Sequence, residues 1–90
     1  MDLTIVVPTF NEGPNVVELL RRIGDAVDDR MIEVVFVDDS TDDTPAIIER
    51  AARAADFPVR LIHRDEPVAG LGGAVVEGIR AANSSWCLVM

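Results

Sequence analysis

The chain has 90 residues, with 8 basic and 16 acidic side chains, a formal net charge of −8 and no lysine. That length allows a single domain, and the acidity disfavours nucleic-acid backbones and anionic lipid surfaces as partners. Apolar residues make up 49% of the chain and recur along its whole length, which excludes intrinsic disorder, while the longest apolar run, Trp86 to Met90, falls far short of the about 20 residues of a membrane span. No signal peptide is expected, because the first apolar run already ends at Pro8. A lone cysteine, Cys87, excludes an intrachain disulfide or a cysteine metal cluster.

The apolar pattern switches between two periods. Leu3 to Val7 is short, β-branched and nearly continuous, as expected of a strand buried on both faces, and Pro8 is expected to end it. Residues 14–27 place Val16, Leu20, Ile23 and Val27 on one helical stripe, with Pro14 in the first turn, where a missing N–H is harmless. Ile32 to Val37 is a second buried strand interrupted only by Glu33. A second helix carries Ile47, Ile48, Ala51, Ala52 and Ala55 on one side, with Thr44 or Asp42 as N-cap and Pro45 in its first turn. Val59 to His63 is a third strand, residues 64–71 a loop, and Ala74, Val75, Gly78, Ile79 and Ala82 a third helical stripe. Trp86 to Met90 begins a fourth strand, with Trp86 expected to pack against a helix and Cys87 to be a small buried residue. Strand–helix alternation of this kind predicts an α/β fold, an open parallel sheet with helices on its faces.

In such a sheet the strands end at one edge, and ligands sit outside it. The polar residues here follow strand ends. Thr9, Asn11, Glu12 and Gly13 follow the first strand, and Asp38 and Asp39 close the second. Arg64, Asp65, Glu66 and the run Gly70-Leu71-Gly72-Gly73 follow the third. Three remote segments are therefore expected to line one crevice. The plainer reading, that loops are polar because they are loops, is weakest for Asp38 and Asp39, which continue directly from a buried strand.

Several motifs are excluded. The glycine run resembles the start of a dinucleotide fingerprint, but Val75 stands where the third glycine belongs, and the run follows the wrong strand. The Gly-Lys-Ser/Thr of a phosphate-binding P-loop is missing. Asp38, Ser40, Asp42 and Glu49 imitate calcium-loop spacing, yet Asp43 replaces the required glycine and a strand precedes the loop. His63, the single histidine, gives no catalytic triad and is expected to lie exposed at a strand end. A phosphoacceptor receiver domain would need a lysine.

Three segments, VVPTFNEGPN at 6–15, EVVFVDDSTDDT at 33–44 and AGLGGAVVEGI at 69–79, resemble glycosyltransferase family 2, most nearly its dolichol-phosphate mannose synthase branch. The resemblance implies that residues 1–90 form the N-terminal, nucleotide-sugar-binding half of a GT-A fold, Rossmann-like, with its switch point between the first and fourth strands. It implies transfer of a sugar, with inversion, from a nucleotide-diphosphate donor to an acceptor such as a polyprenyl or dolichyl phosphate. Carried over position by position, Pro8, Phe10, Glu12, Val37 and Asp39 match residues at the nucleotide. Asp39 would accept from base N–H groups and Glu12 from polar groups of the nucleotide, while Phe10 and Val37 would offer apolar surface. Pro8 also reads as a strand terminator and Val37 as core. Asp38 is expected to brace loops. Arg64 either faces the diphosphate or pairs with Asp65 or Glu66.

The family's Asp-Asp-Gly-Ser turn lacks its glycine here. Its metal-binding Asp-x-Asp follows the fourth strand, so the Mg or Mn ion implied for the complete enzyme is expected to take its ligands from beyond Met90, as are the acceptor site and the catalytic base. The resemblance also implies a cytoplasmic location, at the cytoplasmic face of the membrane in full-length relatives. An open sheet edge at the fourth strand invites self-association. The competing reading is a non-catalytic nucleotide-binding or interaction module on the same fold.

Overall fold

The computed structural model describes residues 2–27 and 31–90. Strands and helices alternate as β1 (Leu3–Thr9), α1 (Gly13–Val27), β2 (Ile32–Asp38), α2 (Thr44–Ala54), β3 (Val59–His63), α3 (Gly70–Ala81) and β4 (Cys87–Val89). The strands pair in parallel in the order β3-β2-β1-β4. The chain thus steps outward from β1 to β3, then crosses to the far side of β1. The switch point falls between β1 and β4, as the resemblance implies. No helix among the described residues is long and apolar enough to cross a membrane.

The two faces of the sheet bury different residues, because successive strand side chains point to opposite sides. Ile5 and Val7 of β1 and Val34 and Phe36 of β2 pack with Val16, Leu20 and Ile23 of α1 and Ile48 of α2. Val6, Val35 and Val37 face the other way, against Ala74 of α3. All seven residues of β2 are buried, which explains its nearly unbroken apolar sequence. Helix α3 lies close to the sheet at Gly78, where an added Cβ would run into Val6 and stand 3.2 Å from Val37.

Glu33, the polar interruption of β2, is 1% exposed. Its carboxylate accepts bonds from Thr4 Oγ1 (2.7 Å), from Arg60 Nε and Nη2 (3.2 and 3.0 Å) and from the Asn83 backbone N–H (2.6 Å). It thereby ties β1, β3 and the α3–β4 connection at the edge away from the loops that follow the strands. Burial works to raise its pKa, but the bonds from Thr4 and Asn83 and the charge of Arg60 outweigh burial and hold it below the ordinary 4.5.

The structure departs from the sequence expectations at four places. Strand β1 runs through Pro8, which pairs with Val37 in register. Even-numbered residues of β1 bond towards β4, as the Thr4 N–H to Trp86 and Met90 N–H to Val6 bonds show. The missing N–H of Pro8 therefore lies on the β4 side, at the level of Met90, and the ladder to β2 is left intact. Helix α3 begins at Gly70, so the glycine run is its first turn and not part of the loop. Trp86 is 74% exposed and Cys87 is exposed, because α3 packs over β1 and β2 and leaves β4 uncovered. At α2 the capping position falls on Asp43, whose side chain makes no capping bond; Asp42 Oδ1 instead accepts from the Thr44 N–H (2.9 Å) and Thr44 Oγ1 (2.6 Å).

Two stability predictions follow from this packing. Gly78→Ala gains about 1 kcal/mol of helix propensity but overpacks a closed interface at about 1–3 kcal/mol. Urea unfolding is expected to show net destabilisation, and Val6→Ala combined with it is expected to cost less than the two single changes summed. Glu33→Gln is expected to destabilise the fold by about 1–3 kcal/mol at neutral pH. Because the folded-state pKa of Glu33 is depressed, its stabilisation is complete above the ordinary value and disappears as pH falls through the lowered one. The difference between parent and Glu33→Gln should therefore shrink in unfolding curves recorded below pH 4, roughly the ordinary carboxylate range.

Candidate functional site

Register assembles the site. Thr9, Asp38 and His63 stand side by side across β1, β2 and β3, so the segments that follow them start as neighbours at one edge. Asp38 is fully buried. Its carboxylate accepts from Thr9 Oγ1 (2.5 Å), Ser40 Oγ (2.6 Å) and Ser40 N–H (3.2 Å), and lies 2.9 Å from His63 Nδ1. Asp38 thus braces three strand ends. His63, expected merely to be exposed, is held at both ring nitrogens, with Nε2 3.2 Å from Asp65.

The first two loops are also stitched to each other. Asn11 adopts a left-handed backbone with φ 50°, a conformation asparagine tolerates better than most residues. Its N–H donates to Ser40 Oγ (2.7 Å), and its side-chain Oδ1 accepts from the Thr41 N–H (3.0 Å). One turn on, the Gly13 N–H donates to Thr44 Oγ1 (3.1 Å), joining the starts of α1 and α2. A Cβ at residue 13 would collide with Ile47.

Asp39 continues from β2 with its N–H donating to Thr9 O (3.0 Å). Its carboxylate is gripped by Arg64, with Nε to Oδ1 and Nη2 to Oδ2 both 2.7 Å. The two side chains are 15% and 10% exposed. The hydrogen bonds from Arg64, opposed by burial and reinforced by its charge, hold the Asp39 carboxyl below its ordinary value, and the same pairing raises the pKa of Arg64. Arg64 therefore pairs with neither Asp65 nor Glu66, and four of its five N–H donors are engaged within the protein. Nη1 and Nη2 also donate to the carbonyls of Val68 (3.1 Å) and Gly70 (2.9 Å).

These loops enclose a cleft of about 360 Å³ lined by Pro8, Thr9, Phe10, Glu12, Asp39, Pro67, Gly70 and Leu71. Pro8, Phe10, Glu12 and Asp39, remote in sequence, share this one cleft. Val37 does not reach it: its side chain is fully buried beneath α3 with Val6 and Val35. Phe10 and Leu71 are 59% and 70% exposed, so apolar surface is offered to the cleft. Glu12 is exposed, and its Oε1 accepts from the Phe10 N–H at 3.2 Å. A second hollow, about 350 Å³, runs along α1 against Val7 and Phe36. It includes no residue of the loops after β2 and β3, and its one arginine, Arg22, lies 3.4 Å from Glu18.

Among the described residues no group of three or more His, Cys, Asp or Glu side chains converges as a metal site. The adjacent acids do not fit a divalent cation either. Asp38 is buried and saturated with donors, and both oxygens of Asp39 face Arg64.

The sequence reading placed Arg64 and Leu71 among the segments at the crevice but missed the pairing of Arg64 with Asp39, the role of His63, and Pro67. The signal for the first two was present: two acids end β2 while His63 and Arg64 end β3, and parallel pairing sets one dipeptide beside the other.

Comparison with known proteins bears on the family and the fold. Residues 4–90 match the family described as Glycosyl transferase family 2. A dolichol-phosphate mannosyltransferase of Pyrococcus furiosus is 34% identical over 91 aligned positions, covering 100% of this chain and 25% of that protein. An undecaprenyl-phosphate 4-deoxy-4-formamido-L-arabinose transferase of Pseudomonas syringae pv. syringae is 46% identical over 59 positions, 62% of this chain and 18% of the other. The chain thus spans about a quarter or less of these relatives. The crystal structure of S. aureus TarS 1–349 superposes with a TM-score of 0.80 at 26% identity, over 100% of this chain and 27% of that one. A longer S. aureus TarS structure gives 0.82 at 26% identity, over 100% and 16%. With the family match running from β1 to β4 on a sheet of this topology, the chain belongs to glycosyl transferase family 2.

Proposed function

We propose that the cleft outside β1 and β2 binds the nucleoside end of a nucleotide-diphosphate sugar, and that the chain is the donor-binding part of an inverting glycosyltransferase. The observation that carries this is the meeting of Pro8, Phe10, Glu12 and Asp39 on one wall system of about 360 Å³. Asp39 accepts from the N–H groups of the base. Each of its oxygens takes one bond from Arg64, and a carboxylate oxygen has a second lone pair to offer. Phe10 supplies apolar surface to the base or ribose, and Glu12 accepts from hydroxyl groups. Val37 supports the pocket from the core without touching the ligand.

In the reaction, an acceptor oxygen forms a bond to the anomeric carbon as the bond to the diphosphate oxygen breaks, and the nucleoside diphosphate departs. A polyprenyl phosphate is the acceptor class we assign, supported by the names of both curated relatives. A divalent cation would neutralise the departing diphosphate; Asp38 and Asp39 are committed elsewhere, so its ligands are not this pair. Such an acceptor is a lipid, so the proposed reaction takes place at a membrane surface, which we assign to the cytoplasmic face.

Isothermal titration of the protein with GDP and UDP, with and without magnesium or manganese, tests the assignment. A hydrogen bond to a charged acceptor is worth about 1.5–3 kcal/mol, so Asp39→Ala is expected to weaken the preferred nucleotide roughly tenfold or more. Equal affinity in parent and variant, with folding verified by circular dichroism, would remove Asp39 from the pocket.

A further inference from the structure

We infer that Arg64 is a positioning residue of the nucleotide cleft: the strap before α3 orients its guanidinium, which in turn fixes the carboxylate of Asp39 towards the ligand. The inference rests on the nucleotide reading of the cleft and adds to it a residue that acts without touching the ligand.

Four directed bonds leave this one side chain. Two go to the two oxygens of Asp39 at 2.7 Å, and two to the carbonyls of Val68 and Gly70 at 3.1 and 2.9 Å. A planar fork can hold a carboxylate in one plane, whereas an ammonium holds it as a point charge. The carbonyls converge on Arg64 because the strap turns there: Ala69 and Gly70 are consecutive left-handed residues with φ 63° and 53°. Alanine is disfavoured in that region, so the turn persists because its surroundings hold it. Gly73 is needed for the same approach. A Cβ there would collide with the Val68 carbonyl and stand 3.0 Å from Arg64 Nη1. The glycine at 73 thus makes room for the clamp on Arg64, a role that phosphate cradling does not explain. Pro67, Gly70 and Leu71 of the strap and its helix start also line the cleft, so the clamp and the pocket share a wall.

The order of action, strap to Arg64 to Asp39, predicts a pattern of coupling. Titrations of parent, Arg64→Lys, Gly73→Ala, Asp39→Ala and the doubles Arg64→Lys/Asp39→Ala and Gly73→Ala/Asp39→Ala would use GDP and UDP. Arg64→Lys keeps the charge and loses the fork, and is expected to weaken the preferred nucleotide about fivefold or more. Gly73→Ala is expected to weaken it in the same direction, which keeps the test open if the lysine variant folds poorly. In the Asp39→Ala background both changes should alter affinity by less than about twofold, since contacts acting through one group are not additive. Undiminished affinity in both single variants would overturn the inference. So would equal losses with and without Asp39, which would mean that Arg64 meets the ligand itself. A parent protein that binds neither nucleotide would instead overturn the cleft assignment, and this inference with it.

Discussion

The structure depends above all on the parallel register of β1, β2 and β3. Three strands entering in the same direction must end at the same edge, and this register sets Thr9, Asp38 and His63 in one row. The row has a buried carboxylate at its centre. An ionised group away from water is expensive unless donors surround it, and Asp38 has the Thr9 and Ser40 hydroxyls, the Ser40 N–H and the His63 ring within 3.2 Å. Satisfying that single charge draws three chain segments together. The loops beyond are therefore pre-organised by a structural requirement, and a ligand meeting them need not supply the energy to order them.

Much of this was legible in the sequence, because it rests on apolar periodicity. The helices and the first three strands follow the stripes of Val16, Leu20 and Ile23, of Ile48, and of the β-branched runs. What was not legible depended on neighbours in space. Pro8 reads as a terminator until the pairing shows that the side of β1 where its N–H is missing faces β4, so that the ladder to β2 runs on. Gly70 and Leu71 read as the end of a loop over 64–71, yet they open α3, and the close approach of the segment before it requires a glycine at 73. Trp86 and Cys87 read as buried from their own side chains, but burial is decided by what packs over them, and α3 covers β1 and β2. Val37 matched a nucleotide position by motif while its alternation placed it under α3.

The pairing of Asp39 with Arg64 shows how a chain of net charge −8 can keep a carboxylate at a ligand cleft. Burial alone works to raise the pKa of Asp39, towards the protonated form that donates instead of accepting. Arg64 reverses that tendency and pushes the carboxyl further into its ionised range. The pair is nearly neutral as a unit, so it adds little to the repulsion that an approaching anion meets. Direction is retained while net field is cancelled.

That cancellation also limits what the cleft can recognise. With Arg64 engaged by Asp39, the cleft wall presents acceptors and apolar surface: the free lone pairs of Asp39, the Glu12 carboxylate, Phe10 and Leu71. Such a wall suits the N–H edge of a base and the hydroxyls of a ribose, both of which donate. It is a poor host for two or more phosphate charges, which acceptors repel. On the proposed reading, discrimination at this edge acts on the nucleoside, and charge compensation for the diphosphate comes from positive charge other than Arg64. On that reading, recognition of the donor's base is separate from stabilisation of its leaving group, and the acceptors and apolar surface of the cleft suit the first.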